Sequence, residues 1–171
     1  MKLVYRYLML VSLALGGWAS SASAAPESGN VTVAVGEVTF TDKEGNSVVV
    51  KAGDKVAVGG TVKTGAAARA VVVITPRSAI RVAENSEVLI VEVTETSTPN
   101  RVMLDLKSGS VGALLKPNAA GELDFKIRTP SGIAAARGTY FSVAVENGKG
   151  FAQVKEGRVE IIPAKAEEDP N

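Results

Sequence analysis

The sequence has no cysteine, no histidine and a single tryptophan among its 171 residues. The first two absences exclude Ser-His-Asp and Cys-His nucleophilic sites, and imidazole or thiolate metal sites. Disulfides and a thiol-linked lipid anchor are excluded with them. A domain of roughly 140 residues buries enough core to fold without disulfides. Aromatic residues make up only 5% of the chain, so stacking platforms for sugar rings are scarce. Charge of one sign is lacking too: the formal net charge is +1. That balance offers no electrostatic case for nucleic acid or an anionic membrane. No Gly-x-Ser-x-Gly and no phosphate-cradling loop occurs. Carboxylate chemistry remains possible in principle. Glu92, Asp105 and Asp124, however, fall at alternating strand positions, where an outward, solvated charge is expected. The residue types argue against an enzyme, and no cofactor is expected.

The first 24 residues have the form of a secretory signal peptide. Lys2 and Arg6 supply the positive start, Leu8 to Leu15 the short apolar core, and Ala22-Ser23-Ala24 a small-x-small cleavage site. The apolar run is short of the ~20 residues that a spanning helix needs. Cleavage is expected after Ala24, with no membrane insertion afterwards and a periplasmic or secreted product. Losing Lys2 and Arg6 turns 19 basic residues into 17, against 18 acidic ones. Trp18, Tyr5 and Tyr7 leave with the leader, so the mature chain keeps Tyr140 and four phenylalanines.

Residues 25–30 read as a flexible start, 31–163 as one β domain, and 164–171 as a disordered acidic tail. No stretch sustains an i, i+3, i+4 pattern. Apolar alternation runs instead through Val31 to Phe40, Arg69 to Thr75, Glu87 to Thr94, Arg101 to Lys107, Val111 to Leu115, Glu122 to Thr129 and Tyr140 to Glu146. Turns fall every ten or so residues, and Asn147-Gly148 is the strongest hairpin signal. The pattern predicts an all-β fold of many short strands, as a β-solenoid-like roll or sandwich. Phe125, Phe141 and Phe151 alternate beside Val and Ile and are expected in the core. Gly-x-Val recurs at Gly36, Gly109 and Gly157, and residues 64–69 echo residues 132–137. The echo is open to two readings, coincidence or a degenerate duplication about 70 residues apart.

Asp42, Glu44 and Asn46 have the 1-3-5 spacing of a calcium loop. Ser47 stands where the turn glycine belongs and Gly53 where the bidentate Glu belongs, so a plain β-turn is expected. The most specific block is Thr129-Pro130, six residues, then Arg137-Gly138-Thr139, Tyr140 and Phe141-Ser142-Val143. Pro130 suits a strand edge or entry. Gly132 and Gly138 mark bends or close backbone approach. Arg137 reads either as a structural fork on backbone carbonyls or as a ligand-facing cation, with the structural reading preferred.

This block, with Gly157-Arg158-Val159 and upstream Gly53-Asp54-Lys55-Val56, Thr64-Gly65 and Leu106 to Val111, resembles the FecR domain family. The likeness covers roughly residues 31 to 162. It implies stacked short strands and places Thr129, Pro130, Arg137, Gly138, Thr139, Phe141, Gly157 and Val159 on the family motif, in structural roles. It also implies a protein-interaction or sensing module with a protein partner in the cell envelope. The sigma-factor-binding segment and receptor-facing domain of the regulators are not expected in so short a chain. The other reading is a structural envelope or matrix protein associated with polysaccharide.

Overall fold

The computed structural model describes residues 28–95, 99–116, 123–136 and 140–164. They form one curled, mostly antiparallel sheet of fourteen strands, with no helix. The strands are β1 (Ser28–Val35), β2 (Val38–Thr41), β3 (Ser47–Val49), β4 (Lys55–Ala57), β5 (Thr61–Thr64), β6 (Arg69–Thr75) and β7 (Ser78–Val82). They continue with β8 (Glu87–Thr94), β9 (Asn100–Leu115), β10 (Leu123–Thr129), β11 (Gly132–Ala136), β12 (Tyr140–Glu146), β13 (Lys149–Glu156) and β14 (Val159–Pro163). The all-β expectation of many short strands holds.

The sheet folds on β9 into two walls. The first half of β9 pairs with β8 and, in parallel, with β10; its second half pairs with β7 and β12. One wall therefore runs β4-β1-β6-β7-β9-β12-β13. The other runs β3-β2-β5-β8-β9-β10-β11-β14. Alternation points Val72, Ile80, Val111, Phe141 and Val143 inward from the first wall. Val62, Ile90, Leu104, Phe125 and Ile127 point inward from the second. Phe125 and Phe141 meet edge-to-face across the core, with ring centres 6.2 Å apart.

Three of the Gly-x-Val glycines, Gly36, Gly109 and Gly157, mark corners. Gly36 lies where the chain passes from β1 to β2, Gly109 inside β9, and Gly157 between β13 and β14. Each is a crossing from one wall to the other. All three glycines have positive φ, at 74°, 80° and 89°, a conformation a Cβ disfavours. The valine two residues later turns back into the core: Val38 and Val111 are fully buried, and Val159 packs against the same cluster.

Several expectations are corrected. Arg101–Lys107 and Val111–Leu115 are one strand, because the chain bends at Gly109 without losing its ladder. β1 begins at Ser28, so residues 28–30 of the expected flexible start pair with β4 and β6. The alanine-rich 132–136 segment is β11, which its weak strand propensity concealed. Of the two readings of the 64–69 echo the structure supports coincidence: Thr64 ends β5, residues 65–68 turn with Ala67 at φ 54°, and Arg69 opens β6, whereas 132–136 are one strand. Phe151 is 54% exposed and not in the core. Asp105 is buried and not solvated, with its carboxylate 2.7 Å from the Lys107 ammonium.

Candidate functional site

The Thr129-Pro130 block folds into the tight β10–β11 turn, and its polar atoms are spent on the fold. The buried Thr129 hydroxyl donates to the Gly132 carbonyl at 3.0 Å. The Ser131 hydroxyl accepts from the Gly150 amide at 2.6 Å. The Ser131 carbonyl accepts from the Ala164 amide at 3.0 Å. Gly132 lies under β14, where a Cβ would sit 2.5 Å from the Ile162 carbonyl oxygen. Pro130 is exposed in the turn, where its missing N–H costs nothing. The turn thus ties the start of β13 and the end of β14 to β10 and β11. Phe141 is buried, Gly157 makes the β13–β14 corner and Val159 packs on the core. Arg137, Gly138 and Thr139 lie outside the described residues.

What the turn holds in place is an unfinished edge. β13 closes the first wall and β14 the second, and neither has an outer neighbour among the described strands. Val154 stands opposite buried Phe141, and Ile161 opposite buried Ala134. Facing pairs in antiparallel strands share a side, so both residues point toward the core. Yet Val154 is 41% and Ile161 56% exposed, because no further strand covers them. Phe151 and Ile162 are exposed on the outer sides of the same strands. Sequence alternation carried no signal that the walls stop here, and it misplaced Phe151, expected in the core and found on the outer side.

The carboxylates singled out in the sequence have partners of their own. Asp105 and Asp124 each engage a lysine at 2.7 Å. The Asp42 carboxylate accepts from the Asn46 amide at 2.8 Å and from its side-chain nitrogen at 2.9 Å. Those hydrogen bonds, the side-chain one foremost, hold the Asp42 carboxyl below its ordinary range. Glu44 turns instead to Lys43 at 3.6 Å. Residues 42–46 are a turn, with Gly45 at φ 93°. No group of three or more His, Cys, Asp or Glu that could hold a metal occurs among the described residues.

A family model described as FecR protein matches residues 60–160. The chain belongs to the FecR family. The matched span covers more than half of the chain, from β5 through the corner that starts β14. FecR domains are envelope sensing and signal-transduction domains, regulatory in kind and not catalytic. No curated protein and no solved structure matches the chain. No helix long and apolar enough to cross a membrane occurs among the described residues. In this FecR protein the Thr129–Gly132 turn works as a staple between β10–β11 and the β13 and β14 strands.

Proposed function

We propose that this FecR protein is an exported, non-enzymatic interaction module that senses or relays state in the cell envelope through a protein partner. The observation that carries this reading is the open edge at β13 and β14. Two adjacent strands, one from each wall, leave backbone ladders free and present Phe151, Val154, Ile161 and Ile162 to solvent. An extended segment of a partner can add to such an edge, gaining main-chain hydrogen bonds and pockets for alternate side chains.

The test is photo-crosslinking from position 151 or 162 in the intact envelope. A protein adduct is expected. It should disappear when Phe151 and Ile162 are both changed to serine, while the urea midpoint is kept. Export without any protein adduct overturns the reading. Adducts with glycan alone would favour the scaffold reading.

A further inference from the structure

The outer surface of the first wall carries a second feature, independent of the open edge. A trough of about 550 Å3 runs over β7, β9 and β12. Its floor dips at Gly112, which has Arg81 and Ser142 as its cross-strand neighbours. Leu114, 55% exposed, and Tyr140 form one apolar side. Ser110 supplies a hydroxyl at the other end. Antiparallel sheets ordinarily turn a polar face to water, and the second wall does so, with its charges matched as Lys63–Glu87, Lys107–Asp105 and Lys126–Asp124. The trough differs. Arg81 is its only charged lining residue, is exposed, and has no ion-pair or side-chain hydrogen-bond partner among the described residues. Arg69 stands beside it in an adjoining hollow. The carboxylate there, Glu84, already accepts from the Ala67 amide at 2.7 Å.

We infer that this trough binds an acidic polypeptide segment, seating an apolar side chain over Gly112 against Leu114 and Tyr140 and a carboxylate on the Arg81 guanidinium. The planar fork of arginine matches a carboxylate bidentately. The Ser110 and Ser142 hydroxyls can take main-chain groups of the guest. A sugar fits poorly: the one aromatic ring, Tyr140, already lies under the Lys155 ammonium, 5.2 Å from its centre. A bilayer fits poorly as well, because the apolar surface is a recess and not a protruding tip. A second copy docking through the same face brings no carboxylate to Arg81, because the lining carries none. The inference shares the protein-partner reading above but not its surface, so the two fail separately: Phe151 and Ile162 variants test the edge, Gly112 and Arg81 variants the trough.

Gly112 makes a clean test. An ideal Cβ there meets nothing nearer than the Phe141 carbonyl oxygen at 4.0 Å. Gly112→Leu therefore keeps the fold and fills the trough. The probe is an eight-residue peptide alternating leucine and glutamate, titrated calorimetrically at low and high salt, with a leucine–glutamine peptide as control. Saturable binding that weakens with salt is expected. Loss of about tenfold or more is expected for Arg81→Gln, for Gly112→Leu and for the glutamine peptide. Equal binding by wild type and Gly112→Leu overturns the inference. So does no binding at millimolar peptide, or binding to phosphatidylglycerol vesicles without binding to the peptide.

Discussion

The Ser86 hydroxyl accepts a hydrogen bond from the Ser110 amide at 2.9 Å, across the corner that Gly109 makes in β9. Ser86 is fully buried and also lies within reach of the Glu84 carbonyl at 3.0 Å. The corner joins the two walls, so Gly109→Ala should be costly. Its φ of 80° carries a penalty of ~1–2 kcal/mol, and the new Cβ runs into Ser86, adding roughly 1–3 kcal/mol. Gly148→Ala is the control: φ is 74° but nothing lies within 4 Å, so only the first cost applies. Urea midpoints should separate the two variants, and equal shifts would remove Ser86 from the explanation.

Phe141→Ala should lower stability by about 3–5 kcal/mol, since it empties the core beside Phe125. Phe151→Ala should change it by less than about 1 kcal/mol, because its ring is mostly in water. Similar losses for both would mean that β13 is covered in solution.

Gly132→Ala should release the end of β14 before the rest of the fold. The Cβ would press on the Ile162 carbonyl and on Pro163. Hydrogen exchange should accelerate at residues 159–164 and at Gly150, leaving β6, β7 and β8 protected. Uniform acceleration would contradict a local staple.

Asp42 predicts a pH effect confined to the β2–β3 hairpin. Its carboxyl is held below the ordinary value of 3.8, chiefly by the Asn46 side chain. A lowered folded-state value stabilises the fold above the ordinary value and loses that contribution as pH falls through the folded one. Amide exchange at residues 43–48 should therefore rise as pH drops below 3.8, after correction for intrinsic rates. Asp42→Asn should abolish the dependence. Persistence of the effect in that variant would assign it elsewhere.

Export predicts a mature protein that begins at Ala25 and shows tyrosine-only fluorescence, because Trp18 leaves with the leader. N-terminal sequencing and an emission spectrum check both. Full-length chain in the membrane fraction would contradict cleavage.

The sequence by itself determined the fold class and the side that most residues face. Alternation is a local property of the strand, so Val102, Leu104, Ile127 and Val143 are readable without a structure. So is the Asn147-Gly148 turn. The tertiary structure decided which walls exist and where they end. Gly109 reads as a strand break until β9 is seen to pair on both sides of it. Asp105 reads as solvated until the neighbouring strands bury it and Lys107 reaches it. Phe151 and Phe141 have the same pattern, yet one is in water and the other in the core. The difference is the face: Phe151 stands opposite Ala144 on the outer side of the wall while Phe141 points into the core, and which phase of an alternating strand turns inward is set by pairing between distant segments, not by local periodicity. The Arg81 trough is likewise a product of three strands whose residues 81, 112 and 142 become neighbours only in the folded sheet.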